Sequence, residues 1–596
     1  MKYLDLDLLK FLLFEVHGLE TLLKYPKYSE FDNDSILMFL DAAKDIADKE
    51  MYPYYQDCDK QPAKYEDGGI KIHPQMKNIF QAITDSGFVG SHLAPEFGGM
   101  NMPHIIVGAT GLIYSAANNH ALAYLALTVG AANLITSFGT MEQVEEYVPN
   151  MLASKWMGTM CLTEPEAGSS LGNLRTTATP SAEGFYKIKG QKIFISGGDH
   201  QFADNFIHMV LARIDGAPQG VKGISLFIVP KYRNSGDGKT EFNDVLTAGD
   251  YQKMGQKGYC TAHLMFGEND NCRGWLVGEE NKGLKYMFQM MNQARLEVGL
   301  TAAAVSTAAY YHSLEYARER VQGQRLSQKG EKVTEQTQIV NHADVRRMLL
   351  MQRAVGIGSM SLILESFKYY DLLGVTEGEE KENNFLMLDL LTPIAKAYPS
   401  EFGITSTSYG IQTLGGYGYT VDFLQEQFMR DIRITSIYEG TTTIQAMDLL
   451  GRKVAAQNGK PLLLLMGILN ESIAEAKKFD QLIPYAEQLE KSIGTIQKTM
   501  EYLLPFAFQM QYEKFLKDAT LFFEMMSHVI ISWQWLKIGT SALKNENMKY
   551  DDSFSKTNLL TMEYYFNYEL PKILSLKEII TKDQNTTIPG DIDYLN

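Results

Sequence analysis

A block of short β-type segments interrupts a chain whose apolar residues otherwise recur at helical spacing. Between about Gly158 and Gly283 the runs FYKIKGQKIFIS, FIHMVLARI, ISLFIVPKY, HLMFG and GWLVG are separated by turn pairs such as Gly197-Gly198 and Asp215-Gly216. Short strands with turns at this spacing predict a sandwich or barrel. Before the block, apolar residues at 105–107, 112–113, 125–127 and 134–135 fit buried helices. The small residues Ala116, Ala117, Ala121 and 130–132 predict close helix packing. After it, 315–320 and 344–351 are helical, and Leu482, Leu489, Ile493, Ile496 and Met500 share one helix face.

A chain of 596 residues is too long for one core, since single cores stop growing at roughly 250–300 residues. The textures predict a mainly α protein with a β insert. It comprises an N-terminal helical domain (1–157), a middle β-barrel or sandwich domain (158–283), a four-helix-bundle domain (284–457) and an added C-terminal helical domain (458–596). A net charge of −16 argues against a nucleic-acid partner and against adhesion to anionic membrane. The four cysteines form no CxxC pair, so neither a zinc site nor a thioredoxin-type centre is indicated, and no metal site is expected. So few cysteines fit a reducing compartment. Asp5, Asp7 and Glu15 break the apolar N-terminus as a signal-peptide core. The apolar run 462–469 is far shorter than the ~20 residues a transmembrane helix needs. The expectation is a cytoplasmic protein with no integral membrane segment.

Three segments carry candidate chemistry. SIYEGTTTIQA (436–446) places Glu439 between Tyr438 and Gly440, with Thr441, Thr442 and Thr443 following. Gly440 would let a flat ligand lie on the backbone, Tyr438 would exclude water and raise the basicity of the acid, and the hydroxyls would bind a polar group. Taken alone, a surface turn explains the segment equally well. MCLTEPEAGSS (160–170), expected to follow a helical end, supplies Thr163, Ser169 and Ser170, with Gly168 admitting backbone amides to an anion or ring edge. In QKIFISGG (191–198), Phe194 and Ser196 alternate and should share one strand face, suited to a heteroaromatic ring. A solvated loop and a core Phe beside an edge Ser remain the plain alternatives for these two.

With the helical, β, helical order, these segments resemble the acyl-CoA dehydrogenase family. SGFVGSHLAPEFGG (86–99), NQARLEVG (292–299), RERVQGQ (318–324), NHADVRRML (341–349) and QTLGGYGYT (412–420) fit that family's motifs over roughly residues 40 to 455. The resemblance implies an FAD enzyme that oxidises an acyl-CoA thioester to a trans-2-enoyl-CoA. In it, Glu439 would take the α-proton, and the β-hydride would pass to flavin N5. It assigns Met160, Leu162, Thr163, Gly168, Ser169, Phe194, Ser196, Arg320, Gln322, His342, Gln412, Gly416, Thr441 and Thr443 to cofactor binding. Ser169, Arg295, Tyr438 and Gly440 are assigned to substrate. Some family members carry the base on an earlier helix; that position here is Ala294, which cannot act. Glu297 should point to a different helix face and reads as an ion pair or cap. Ser170 stands where aspartate is common, and Phe194 where tryptophan is. The added C-terminus resembles the larger branch, which includes broad-range acyl-CoA and 3-methylmercaptopropionyl-CoA dehydrogenases. That branch implies a homodimer that delivers electrons to an electron-transferring flavoprotein in fatty-acid β-oxidation. An acyl-CoA oxidase and a non-catalytic CoA-binding scaffold are the competing readings.

Overall fold

A computed structural model describes residues 2–235, 239–325, 327, 336–544, 550–582 and 584–588. Two compact units divide the chain. One comprises Asn33–Ala294; the other joins Met1–Asp32 to Arg295–Asn596.

In the first unit the long helix α1 (His104–Phe138) packs on an eight-stranded sheet. Its strands are β1 (Trp156–Cys161), β2 (Thr177–Pro180), β3 (Tyr186–Ser196), β4 (Asn205–Ile214), β5 (Ile224–Pro230), β6 (Val245–Asp250), β7 (Thr261–Phe266) and β8 (Arg273–Leu276). The path runs β6-β7-β3-β8-β5-β4-β1, and β2 pairs with both β3 and β4. That double pairing closes β3-β8-β5-β4-β2 into a barrel, as the β-type texture predicts. Strand β5 is buried along its whole length and β4 at all but one position, so both read as continuous apolar runs rather than alternating ones. The small residues of α1 do what their size implies. A Cβ on Gly158 of β1 would stand 2.7 Å from Ala131 Cβ, and one on Gly130 would stand 2.8 Å from Met290 Cε. Gly158 N–H also donates to the Thr128 hydroxyl at 3.0 Å, tying helix to strand. The expected N-terminal and middle domains therefore share one core, which includes Ile135, Met151, Met209, Leu226 and Met287.

The second unit is helical. The helix α2 (Gly283–Glu319) enters it at Arg295, and α3 (Ala343–Leu373) pairs closely with α4 (Gly378–Leu414). The short α5 (Thr442–Asp448) and the longer α6 (Ala519–Leu543) complete the set that matters here. The expected C-terminal domain is continuous with the bundle. Trp535 of α6 donates to the Ala354 carbonyl at 3.0 Å, and Arg353 of α3 donates to Thr561 at 2.6 Å and Asn558 at 2.7 Å. Both α1 and α3 are long and apolar enough to cross a membrane, a feature a search for unbroken apolar runs misses. The apolar window of α3 is 94% buried inside the protein and that of α1 50%.

The N-terminal segment departs from expectation by leaving the first helical domain. Leu8, Leu9, Phe11, Leu12 and Leu13 are buried, and Asp5 caps their helix by accepting from the amides of Asp7 and Leu8. Thus an acid that argues against a signal peptide also starts a core helix. A buried network anchors this segment to α3 and α6. His17 Nδ1 meets Glu365 at 2.8 Å, His17 Nε2 meets Ser361 at 3.1 Å, and Lys537 bonds the same Glu365 carboxylate.

Burial first, and then the Lys537 charge, push the His17 pKa down from 6.5 to about 4. Unfolded chain therefore binds a proton that folded chain refuses between those two values, so stability rises with pH there. The contribution is complete above pH 6.5 and lost as pH falls through about 4, amounting to about 3 kcal/mol. His17→Gln should lose less stability than wild type between pH 7 and 4.5 in parallel denaturation series. Identical pH slopes would contradict this.

Candidate active site

The candidate residues fall into two sets, one in each unit. In the first unit, Met160 is the next-to-last residue of β1, and past Cys161 the loop begins at Leu162 and Thr163. It follows a strand, not a helical end: helix 141–152 stops at a left-handed turn on Ser154, φ 52°, and β1 then runs parallel to β4. The loop folds back tightly, with Glu164 and Ala167 exchanging amide bonds of 3.1 and 3.0 Å. Gly168, Ser169 and Ser170 are exposed past this turn. A Cβ at Gly168 would meet no atom within 4 Å, so nothing in the protein itself demands glycine there. Ser170, in place of an aspartate, accepts from the Asn173 side chain at 3.4 Å.

An ion pair beneath the loop holds it. Lys192 of β3 is fully buried and donates to the Leu162 carbonyl at 3.0 Å and to Glu164 at 2.8 Å. Glu164 also accepts from the Arg175 amide (2.7 Å), the Thr176 amide (3.1 Å) and the Thr176 hydroxyl (2.6 Å). Burial pushes the Glu164 carboxyl up, but Lys192 and these donors outweigh it and hold it below its ordinary pKa.

Strand β3 does not alternate throughout. Phe194 takes φ 57°, and the pairing with β7 shifts between Ala262 and Leu264. This bulge leaves Lys192 and Ile193 both buried, and returns Phe194 and Ser196 to the open side. Phe194 is 56% exposed and lies against the Tyr251 ring, centroids 4.5 Å apart. Ile193 N–H donates to the Thr163 carbonyl at 2.9 Å, which brings the loop beside the aromatic pair.

In the second unit, Glu439 stands on a turn in which it and Gly440 both have positive φ, 55° and 92°. A non-glycine residue held in that region is strained, a condition that clusters at functional sites. Gly440 needs its missing side chain for an internal reason: a Cβ there would meet Gln445 Nε2 at 2.6 Å. The open backbone surface expected at Gly440 is thus filled by Gln445, which donates to the Glu439 carbonyl at 3.2 Å. Thr441 caps α5 by accepting from the Ile444 amide, and Thr443 is exposed in its first turn. One side of α4 holds the turn. Lys396 donates to the Gly440 carbonyl at 2.8 Å, Ser400 to the Thr435 carbonyl at 3.1 Å, and Glu401 accepts from the Thr442 hydroxyl. Tyr438 is half-buried on the approach to the turn.

Burial pushes the Glu439 carboxyl above its ordinary pKa, while Arg295 and Lys396 pull it down less strongly. The residue keeps partial surface exposure although its carboxyl is densely surrounded; the carboxyl's surroundings decide its chemistry. No acceptor among the described residues takes the Glu439 N–H. Arg295 is buried and 3.7 Å from Asp448, which also pairs with Arg452 at 2.7 Å. Burial lowers Lys396 to about 8, so it stays largely protonated at neutral pH.

Elsewhere in that unit, Arg320 and Gln322 follow the end of α2, and His342 Nε2 lies 2.7 Å from the Gln322 carbonyl. Gln412 and Gly416 are exposed at the end of α4, and a Cβ at Gly416 would meet nothing within 4 Å. Sequence reasoning missed Lys192, Glu164, Tyr251, Lys396, Glu401 and Gln445. A signal existed for Lys396, a lone cation in an apolar stretch, since a buried cation needs partners; Lys192, which shares its strand with Lys187 and Lys189, gave none.

Residues 33–155, 159–268 and 281–454 match the N-terminal, middle and C-terminal domains of acyl-CoA dehydrogenase, and 465–589 match "Acetyl-CoA dehydrogenase C-terminal like". The chain is 34% identical to 3-methylmercaptopropionyl-CoA dehydrogenase of Ruegeria pomeroyi over 87% of each chain. It is 31% identical to the broad-specificity linear acyl-CoA dehydrogenase FadE5 of Mycobacterium tuberculosis, over 98% of this chain and 97% of that one. The fold is shared with Caenorhabditis elegans ACDH-11 solved with C11-CoA (TM-score 0.76, 20% identity, 96% and 94% covered). It is also shared with a Bacillus anthracis acyl-CoA dehydrogenase complexed with FAD (TM-score 0.74, 20% identity, 94% and 90% covered). With its barrel, bundle and further C-terminal helices, the chain belongs to the acyl-CoA dehydrogenase family of oxidoreductases.

Proposed function

We propose that this protein removes an α-proton and a β-hydride from an acyl-CoA thioester to give a trans-2-enoyl-CoA, with Glu439 as the base. One observation carries the reading: Glu439 is a carboxylate of raised pKa on a strained turn whose own N–H meets no acceptor among the described residues. A base works best when its pKa lies near the operating pH, and burial moves Glu439 toward that range. The α-C–H is a weak acid, so charge developing on the thioester oxygen must be stabilised as it forms. The Glu439 N–H is a donor available for that oxygen.

FAD is the cofactor, and when bound it supplies the acceptor for the hydride. The chain offers a fitting donor set: an exposed Phe194 backed by Tyr251, the hydroxyls of Thr163 and Ser196, and open space at Gly168. Met160 and Leu162 lead into this loop, and we assign the exposed Ser169 to the cofactor and the acyl-CoA. Arg320, Gln322, His342, Gln412 and Gly416 are polar or open positions suited to the phosphate and adenosine half, and the hydroxyls of Thr441 and Thr443 would also serve the cofactor. Arg295 and Tyr438 serve the substrate. We assign a homodimer in the cytoplasm, acting in fatty-acid β-oxidation with an electron-transferring flavoprotein as acceptor. The four cysteines are all buried and unpaired, in keeping with a reducing compartment. Rapid peroxide release by the reduced enzyme would favour the oxidase reading instead.

Glu439→Gln should keep FAD and acyl-CoA binding while turnover falls by about 10²–10⁴-fold. Wild-type-like turnover would remove Glu439 as base. Lys192→Met strands Glu164 beneath the flavin loop. It should cost about 3–5 kcal/mol in denaturant unfolding and lower FAD occupancy. Adding Glu164→Gln should restore at least half of that loss. An additive double variant would show that the pair does not hold the loop.

A further inference from the structure

Lys396 has no part in the reading above, yet its environment is unusual. It lies in the apolar stretch LLTPIAKAYPS of α4 and its side chain is fully buried. Burying an ammonium is costly unless something specific compensates. Among the described residues its ammonium bonds directly to the carbonyl of Gly440, the residue after Glu439, at 2.8 Å. That carbonyl also receives Gln445 Nε2 at 3.5 Å, and the neighbouring Glu439 carbonyl receives it at 3.2 Å. The turn is thus gripped from α4 on one side and from α5 on the other. Lys396 further lies in the electrostatic field of Glu439 and Glu401, with Arg295 opposing it from α2. Arg295 in turn faces Asp448, Glu439, Arg452 and Asp389. A cation buried at this point has two effects that a hydrocarbon of the same length lacks: it fixes a carbonyl, and it favours ionisation of the carboxylate beside it.

We propose that Lys396 is a positioning residue for this site: its ammonium holds the Gly440 carbonyl, and so the strained turn carrying Glu439, while its charge keeps that carboxylate available as an anion. The proposal rests on the reading of Glu439 as base, and it assigns Lys396 no contact with the reacting atoms. Without the charge, burial acts on Glu439 opposed only by Arg295, and the carboxyl should hold its proton to higher pH.

The test uses three variants. Lys396→Met removes bond and charge, Lys396→Gln keeps a donor but no charge, and Lys396→Arg keeps the charge. The first readout is the pH midpoint of Glu439 labelling by a water-soluble carbodiimide, which takes up the proton and the carboxyl oxygen of the protonated acid, followed by mass spectrometry of the peptide. This measurement needs neither flavin nor turnover. The Met and Gln variants should move the midpoint up by about one pH unit, and the Arg variant should leave it near wild type. The second readout is the acid limb of kcat/KM, which should move up in parallel for Met and Gln and not for Arg. Labelling midpoints equal to wild type in either neutral variant would overturn the proposal, and because two neutral variants are used, poor folding of one leaves the other decisive. Failure of the base reading shows separately. Glu439→Gln would then retain turnover, and the kcat/KM limb would stay fixed while the labelling midpoint moved.

Discussion

A carboxylate taken out of water binds its proton more tightly, and a carboxylate beside a cation releases it more easily. The candidate site is built on that opposition. At Glu439 burial is the larger effect and Arg295 and Lys396 the smaller, so the acid ends above its ordinary pKa without becoming a permanently neutral group. The cations have their own requirements. Arg295 needs Asp448 and Lys396 needs the Gly440 carbonyl, and these demands fix α2, α4 and α5 around a turn that glycine and a strained glutamate make possible. Buried ion pairs contribute little net stability because desolvation offsets their attraction. Here each one falls where a loop or chain end must be held in a single place.

The same device recurs away from Glu439. Lys192 and Glu164 pin the loop leaving β1, and the pair reads as support for Thr163 and Ser169 rather than as a site. His17, Glu365 and Lys537 fasten the N-terminal helix between α3 and α6. In each place a long-range charged contact does what apolar packing cannot, since apolar contacts tolerate sliding and a bonded ion pair does not.

The order of textures was legible because strands and helices differ in period, and the barrel, bundle and C-terminal helices lie where those periods change. The segments around Thr163, Phe194 and Glu439 were legible because hydroxyls, aromatics and a lone acid beside glycine are rare together. What escaped were long-range matters. The bulge at Phe194 is set by pairing with β7, which no local pattern encodes. That Gln445, five residues on, folds back into the space a Cβ of Gly440 would take is not encoded locally either. The N-terminal segment was counted with its sequence neighbours, although its leucines bury in the other unit. Lys192 and Lys396 take their roles from partners 28 and 44 residues away.

Dehydrogenation of an acyl-CoA by this protein is tested most directly by reducing the flavin with substrate. Protein loaded with FAD should be yellow, and anaerobic titration with a panel of straight, branched and thioether acyl-CoAs should bleach the flavin band for at least one of them. The bleach should come with one equivalent of enoyl-CoA per flavin. A protein that binds FAD and acyl-CoA tightly, yet keeps its oxidised spectrum with every member of the panel, would contradict the account.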